Sequence, residues 1–468
     1  MPVVPPAPDS SPATGRPAAP APRRRGPFFA VAAMCWLLVM FDGLDVSLYG
    51  AALPGMLDDP GLGLDAAQAG AIGSYATFGM LVGALTAGTL TDLLGRKRML
   101  LWCVTVFSVA SGLCAIAPSA EFFGLARLLA GVGLGGLLPS ALALVSDFAP
   151  RGRGSLAIAV SMTAYHVGAV FATLASLAVL DSWGWRGVFW IGVLPCVVAV
   201  PLMARYLPES TSFLLAKGRR AEAEAVAARH GIVLDEEDVR RATAAAGTAG
   251  TGRATALRVL FGRGYRTTTL AFWLASFAGL LLVYGVNTWL PTLMRASGYA
   301  VGSSLVFLLV INLGGVVGML VAGPVADRYG ARRVSAIWFL LTALGTYALS
   351  VRMPLALSLV LVFLTGVVLF SAQTMVYAFV SERYGPDSRA TALGWTAGMG
   401  RFGAVLGPWL GGQLLAAELA GWSFQMFAAA GVLGAVMTAL VPGARAGAVA
   451  GGAPAAGGAV APAAPAEG

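Results

Sequence analysis

The segment Gly88-Thr-Leu-Thr-Asp92-Leu-Leu-Gly95-Arg96-Lys97-Arg98 recurs as Gly323-Pro-Val-Ala-Asp327-Arg-Tyr-Gly330-Ala-Arg332-Arg333, so residue 88 corresponds to residue 323, an offset of 235. Each copy follows a long apolar run. A similar offset relates Pro54 to Pro291. Duplication at a nearly fixed offset is typical of a protein built from two similar halves.

The composition indicates that the chain lies in a membrane. Of its 468 residues, 57% are hydrophobic and 11% are charged, and the mean hydropathy is +0.78. Soluble proteins carry about 25% charged residues. Because about twenty apolar residues make one membrane span, a chain of this length has room for a dozen spans and their loops.

Twelve apolar runs are bounded by Gly, Pro or charged clusters. The first six lie near 27 to 53, 68 to 91, 98 to 117, 122 to 146, 154 to 180 and 187 to 207. The second six lie near 267 to 294, 303 to 326, 334 to 351, 354 to 380, 390 to 416 and 421 to 442. This pattern predicts an all-α membrane protein with twelve transmembrane helices in two pseudo-symmetric six-helix bundles.

The predicted domain organisation follows from these runs. The bundles occupy residues 27–207 and 266–442, and a polar cytoplasmic loop, 208–265, joins them. Within this loop the stretch from Thr211 to His230 is rich in Ala and has charges at helical spacing. We therefore expect one short surface helix there.

Both chain ends are expected in the cytoplasm. Residues 1–26 and 443–468 are rich in Ala and Pro without helical periodicity, which predicts disordered tails. Positively charged loops stay on the cytoplasmic side of a membrane. Placing both tails and every second loop on one side puts 26 of the 31 Lys and Arg residues there. The net charge of +9 thus indicates orientation in a cytoplasmic membrane rather than nucleic-acid binding.

The repeated motif resembles the signature of the major facilitator superfamily, and the resemblance covers about residues 27–442. It implies that Asp92 and Asp327 latch the two bundles in the outward-facing state. Leu93 stands where the family commonly has Arg. A role as turn and topology residues alone would explain the glycines and cations, but not the repeated Asp. The resemblance assigns seven residues to the latch: Gly88, Asp92, Gly95, Arg96, Asp327, Arg328 and Gly330.

Two carboxylates lie inside the first predicted span. Asp42 and Asp45 are three residues apart, which places them on one helix face. A charge inside an apolar span costs about 2.5 to 3.5 kcal/mol on insertion scales, so both are expected to face a cavity and to have a task. The Asp-Gly-Leu-Asp sequence resembles the first-span motif of the aromatic acid:proton symporter family, which implies proton coupling. The alternative is that both residues only pair with buried cations.

Two arginines also lie inside predicted spans. Arg127 in span 4 and Asp45 are at similar depths at about 1.5 Å per residue, so they could meet. Arg401 is close to mid-membrane, where a guanidinium can hold a carboxylate through two parallel hydrogen bonds. We expect Arg401, with Arg127, to bind substrate. The alternatives for Arg401 are a structural ion pair and a role in proton coupling.

Further segments extend the resemblance to the aromatic acid family: 207–210, 287–291, 389–395 and 400–403. His166 in span 5 is either a neutral core residue with satisfied hydrogen bonds or a group that relays protons or binds substrate. Polar and aromatic residues in or beside the motifs are also expected to contact substrate: Tyr284, Asn287, Trp289 and Trp395.

These observations predict a monomeric transporter that imports a small aromatic carboxylate of the benzoate or hydroxybenzoate type by alternating access. The proton gradient would drive it without a cofactor. The alternatives are a proton-driven exporter of drugs or metabolites and a membrane sensor without transport activity. The sequence has no Gly-rich phosphate loop, no nucleophile, base and acid triplet, and no cysteine at metal-ligand spacing. We therefore expect neither an enzyme, ATP-driven transport nor a metal site.

Overall fold

The structure is a computed structural model that describes residues 26–149, 154–230, 234, 236, 239–240, 260–262 and 264–442. Only the backbone is described at residues 26, 27, 88, 89, 92, 154–156, 159, 301, 386, 387 and 390. The predicted tails, apart from Gly26, and part of the central loop lie outside this part of the chain.

All regular structure in the described residues is helical. The first half contains α1 (Gly26–Leu57), α2 (Ala66–Leu94), α3 (Arg96–Ala115), α4 (Ala120–Phe148), α5 (Gly154–Ile191) and α6 (Leu194–Tyr206). Two short helices follow, α7 (Thr211–Ala216) and α8 (Arg220–His230). The second half contains α9 (Arg266–Ala296), α10 (Val301–Tyr329), α11 (Ala331–Ala348), α12 (Leu355–Arg383), α13 (Pro386–Ala416) and α14 (Ala420–Leu440).

Twelve membrane crossings can be traced through these helices. By length and composition, nine stretches of the described residues are apolar enough to span a membrane. One of them, Val160–Tyr206 with 47 residues, holds two crossings because Gly184, with a φ of 64°, breaks α5. The remaining two crossings are α11 and α13, which are less apolar but pack against the other spans. The predicted number of spans is therefore confirmed.

The two halves repeat the same glycine contacts at the 235-residue offset. A Cβ atom added at Gly79 would lie 2.2 Å from the carbonyl oxygen of Leu128, and one at Gly314 would lie 2.3 Å from that of Phe363. The glycines allow α2 to pack on α4, and α10 on α12, with their backbones almost in contact. Any larger residue would clash at these positions. Two more contacts repeat in this way: Gly83 with Val132 as Gly318 with Val367, and Gly131 with Ala76 as Gly366 with Ile311.

Each half forms one bundle with the same helix pairing. The first span packs on the fifth and the second on the fourth, so α1 contacts α5 as α9 contacts α13. Between the bundles, α2 contacts α13, α5 contacts α10 and α1 contacts α9. Many large apolar side chains are exposed, as expected for a surface that contacts lipid: Trp183, Val197, Leu320 and Leu344 are examples.

The bundles are joined at one end. We call the face at which α1 begins and α14 ends the terminus face, and the opposite face the far face. On the far side, Arg295 donates to Asp58 at 2.6 Å and Ser74 donates to the Val405 carbonyl at 2.7 Å. Further hydrogen bonds between the bundles lie in the far half or at mid-depth. The backbones also meet on the far side, where a Cβ atom at Gly70 would lie 2.8 Å from Gly412 Cα. The bundles are therefore in close contact at the far face.

The repeated motif lies at helix ends rather than in loops. Gly95 alone separates α2 from α3, with a φ of 93°, and Gly330 alone separates α10 from α11, with a φ of 85°. These left-handed conformations favour glycine and allow the chain to reverse at one residue. Asp92 and Asp327 consequently lie in the last turns of α2 and α10, and a single glycine makes the turn that follows each of these helices. The side chain of Asp92 lies outside the described part of the chain.

The central segment begins with two short helices instead of the single predicted one. Gly218, with a φ of 73°, ends α7 and lets the chain turn into α8. The two helices pack through a small apolar cluster of Leu214, Leu215 and Ala223. The prediction of one continuous helix was wrong because glycine in this conformation terminates a helix.

Candidate functional site

A buried ion pair joins α1 to α4. Arg127 Nη1 donates to Asp45 Oδ1 at 2.7 Å, and the two side chains are 3% and 1% exposed. The guanidinium also lies near the rings of Tyr49 and Phe189, at 5.2 and 5.9 Å from their centroids. Aromatic faces attract cations at such distances. The expectation that the two charged residues could meet is confirmed.

Asp42 has a different neighbour from Asp45. Its side chain is buried, and its Oδ1 has no hydrogen-bond partner among the described residues. It interacts electrostatically with Arg401 of the second bundle without coming within the 4.0 Å of an ion pair. Asp42 therefore does not share Arg127 with Asp45 in this structure. Three residues turn a helix by about 300°, so the two side chains diverge by about 60°.

Arg401 lies in the middle of α13, between the bundles. Its Nη1 donates to the Tyr284 hydroxyl at 3.1 Å and lies 3.6 Å from the sulfur of Met80 on α2. The side chain is partly exposed, and no described carboxylate lies within 4.0 Å of its guanidinium. Arg401 is therefore a permanent cation at mid-depth without an ion-pair partner in the described chain.

Tyr165 on α5 belongs to the same group of residues. Its hydroxyl is buried and has no hydrogen-bond partner among the described residues. It interacts electrostatically with Tyr284, Asp42 and Arg401. A Cβ atom at Gly43 would lie 1.8 Å from the Tyr165 carbonyl oxygen, so α1 and α5 are in close contact at this level. The sequence analysis missed Tyr165, although a tyrosine beside a mid-span histidine was a possible signal.

His166 begins a chain of polar side chains that crosses between the bundles. Its Nδ1 lies 3.4 Å from Asn312 Oδ1, and Asn312 Nδ2 donates to Asn287 Oδ1 at 3.0 Å. The Asn287 amide in turn donates to the Val283 carbonyl at 2.8 Å. Because Asn312 uses its amide nitrogen toward Asn287, the pattern assigns the His166 proton to Nδ1. Asn312 was also missed, although it is the single amide side chain of its span.

His166 and Arg401 are counterparts in the two halves. They are separated by the 235-residue offset that relates the glycine contacts of the bundles. One neighbour of each across the interface corresponds in the same way, since His166 lies against Gly315 and Arg401 against Met80. The two halves therefore have an imidazole, which can be neutral, and a guanidinium, which is always charged, at equivalent positions beside the bundle interface.

A second polar cluster lies at the terminus face of the first bundle. The Glu209 carboxylate accepts from the backbone N–H groups of Arg96 and Lys97 at 2.8 and 3.1 Å. This places a negative charge at the positive N-terminus of α3. The Arg96 side chain forms an ion pair with Asp147 at the end of α4, and Ser210 donates to the same carboxylate.

The corresponding region of the second bundle is more open. Asp327 and Arg328 are exposed, and nothing lies within 4 Å of a Cβ atom built on Gly330. At Gly95, the same atom would lie 2.4 Å from the Glu209 carboxylate. The two copies of the motif thus have the same backbone but different surroundings.

The family model described as Major Facilitator Superfamily matches residues 35–322 and 307–463. The chain belongs to the Major Facilitator Superfamily. It is 33% identical to the benzoate transport protein of Acinetobacter baylyi, over 86% of this chain and 87% of the relative. It is 36% identical to the gentisate transporter of Corynebacterium glutamicum, over 86% and 84% of the two chains. It is 32% identical to the 4-hydroxybenzoate transporter PcaK of Pseudomonas aeruginosa, over 86% and 89%.

Solved structures of the superfamily share this fold. A partially occluded, inward-open structure of the Escherichia coli xylose transporter XylE superposes with a TM-score of 0.73 and 17% identity, covering 89% of this chain and 98% of that one. The relatives named above are transporters, which confirms the expectation of a multi-pass membrane carrier rather than an enzyme.

The two tryptophans predicted to contact substrate, Trp289 and Trp395, form their hydrogen bond and their ring contact within the second bundle and not with Arg401. Trp289 is fully buried, and its Nε1 donates to the Pro408 carbonyl at 2.8 Å within the second bundle. Trp395 is 42% exposed and stacks on Trp273, with ring centroids 5.6 Å apart. In this conformation Trp289 therefore packs α9 against α13, and Trp395 lies nearer the terminus face.

Among the described residues, no cluster of His, Cys, Asp or Glu could hold a metal ion.

Proposed function

We propose that this carrier imports a small aromatic carboxylate together with protons, and that it does so as a monomer in the inner membrane. The observation that carries the proposal is Arg401, a mid-depth guanidinium between the bundles without an ion-pair partner in the described chain. The relatives named for benzoate, gentisate and 4-hydroxybenzoate support the substrate class, since all three compounds are aromatic carboxylates.

Arg401 would bind the substrate carboxylate. A guanidinium presents its N–H groups in a planar fork that matches both oxygens of a carboxylate, which a single ammonium cannot do. Tyr284 already accepts from Nη1, which orients the group. The polar chain of His166, Asn312 and Asn287 borders the same interface and would contact the ring or hold the bundles in register.

Asp42 and Asp45 would couple transport to protons. A substrate carboxylate beside Arg401 would be the second anionic group near that cation, because Asp42 already interacts with it. A substrate carboxylate bound to Arg401 would add a second negative charge to a low-dielectric region that already holds Asp42, so a proton would accompany the acid. A proton on Asp45 would release Arg127 and so loosen the contact between α1 and α4. The proton gradient then supplies the energy, without a cofactor.

The direction of transport follows from the orientation of the chain. The terminus face carries most of the Lys and Arg residues and would be cytoplasmic. The far face, at which the bundles are joined, would then be closed toward the outside, as in an inward-facing state. Asp92 and Asp327 would stabilise the opposite, outward-facing state by joining the bundles at the cytoplasmic side, together with the glycines and arginines of the motif.

Uptake measurements test this function. Purified protein in liposomes should accumulate labelled benzoate or hydroxybenzoate when a proton gradient is imposed, inside alkaline, and should lose accumulation when the gradient is collapsed. Proton-driven loss of preloaded substrate would instead indicate an exporter. Binding without any transport would indicate a sensor. In Asp45→Asn, gradient-driven accumulation should vanish, whereas exchange of internal for external substrate can persist.

The role of Arg401 needs a separate binding measurement. Arg401→Lys and Arg401→Gln should both bind benzoate about 30-fold to several thousand-fold more weakly, because loss of a desolvated charged pair costs about 2 to 5 kcal/mol. Binding of uncharged benzamide should change much less. Arg352→Gln, at an exposed arginine of the far face, serves as the control. If both Arg401 variants bind benzoate like the parent, Arg127 becomes the candidate carboxylate receptor.

A further inference from the structure

Five buried side-chain oxygens in the first bundle lack hydrogen-bond partners among the described residues: three serine hydroxyls, Asp42 Oδ1 and the Tyr165 hydroxyl. The last two belong to α1 and α5, which both contact the second bundle. Buried polar side-chain atoms are bonded in the large majority of cases, because leaving one unpaired forfeits its hydration. The close approach of Gly43 to the Tyr165 carbonyl keeps the two residues together. We therefore consider a bound ligand as their partner.

These oxygens lie opposite the proposed carboxylate receptor. Arg401 and Tyr284 of the second bundle are hydrogen-bonded to each other, and Asp42 and Tyr165 of the first bundle are held together by the contact at Gly43. Tyr165 lies within electrostatic range of Tyr284, Asp42 and Arg401. An acid whose carboxylate is held by Arg401 would thus direct its ring toward Asp42 and Tyr165.

The chemistry of the two oxygens matches a phenol. A carboxylate accepts hydrogen bonds, and a tyrosine hydroxyl both donates and accepts. A ring hydroxyl could therefore donate to Asp42 Oδ1 and accept from Tyr165, satisfying both groups at once. A ring C–H can do neither. We propose that Asp42 and Tyr165 form a subsite for a ring hydroxyl, so that the carrier selects hydroxylated aromatic acids over benzoate.

This inference rests on the proposed function but can fail separately from it. In the present conformation both oxygens are covered, so a ligand reaches them only as the bundles rearrange around it. A trapped water could satisfy the same two groups. The water would give no preference between benzoate and its hydroxylated forms, which makes ring selectivity the decisive measurement.

The first experiment uses the parent protein in lipid nanodiscs. Equilibrium binding is measured for benzoate, for 2-, 3- and 4-hydroxybenzoate, and for the corresponding methoxybenzoates. At least one hydroxybenzoate should bind about tenfold more tightly than benzoate and than its own methyl ether, which cannot donate. Equal binding of benzoate and all hydroxybenzoates, or of each hydroxybenzoate and its methyl ether, would overturn the subsite.

The second experiment assigns the preference to Tyr165. Tyr165→Phe should lower the ratio of hydroxybenzoate to benzoate affinity by about 3- to 10-fold, as expected for one lost hydrogen bond. Tyr347→Phe, at a tyrosine that is 58% exposed on α11, should keep the parental ratio. An unchanged ratio in Tyr165→Phe, or an equal loss of affinity for every acid, would refute the proposal. A parent protein that binds no aromatic acid would instead refute the proposed function.

Discussion

Replacing Asp45 by Asn should destabilise the protein by about 3 to 5 kcal/mol, because removal of one partner leaves the other as an uncompensated buried charge. The burial of this pair explains why the expected loss of stability is larger than that for an exposed ion pair. The Arg127 and Asp45 side chains are only 3% and 1% exposed, so water cannot replace the lost carboxylate. Arg127 Nε already lacks a hydrogen-bond partner among the described residues, so no second acceptor is at hand. The aromatic contacts of the guanidinium are present in parent and variant alike and cancel.

The double variant Asp45→Asn with Arg127→Gln separates charge from shape. It removes both charges and keeps the approximate side-chain volumes, so it should recover most of the lost stability. Gradient-driven accumulation should stay absent. Glu222→Gln, which breaks an exposed ion pair on α8, should leave unfolding unchanged.

The assay is reversible unfolding in mixed micelles, followed by tryptophan fluorescence. The parent, both single variants, the double variant and the exposed control are compared under one condition. A double variant as unstable as Asp45→Asn would show that the paired charges are not what the mutation removes. Parental stability of Asp45→Asn would refute the reasoning outright.

Three further predictions concern the ends of the bundles. Gly95→Ala should lower the unfolding temperature more than Gly330→Ala, because both incur the left-handed backbone cost of about 1 to 2 kcal/mol but only Gly95 also meets a carboxylate; equal effects would refute the crowding argument. Arg295→Gln should lengthen spin-label distances across the far face and shift the carrier toward its outward-open state, since the bond to Asp58 joins the bundles there; unchanged distances would show that this bond is not part of the closure. Asp92→Asn should cut transport strongly and leave benzoate binding within a few-fold, and normal uptake would exclude the latch.

The sequence was sufficient for the number and order of the helices, because apolar length and a duplicated motif are properties of the chain itself. Depth could also be estimated, since rise per residue is nearly constant in a helix, and this brought Asp45 and Arg127 together correctly. Rotation about each helix axis could not be estimated. It depends on which small residues let two backbones approach, as at Gly43 and Tyr165. Consequently the neighbour of Asp42 and the packing of Trp289 were beyond prediction.

The residues at the equivalent positions 166 and 401 differ, and this difference makes the two halves of the carrier unequal toward a ligand that lies between them. A ligand lying between two equivalent half-sites could bind in either of two reversed orientations with similar free energy. Because only one of these two equivalent positions carries a permanent cation, an acid anion has a single preferred orientation there, with its charged end toward the second bundle. The substrate should therefore keep its head-to-tail direction throughout the transport cycle, as the two bundles rock around a ligand that does not tumble.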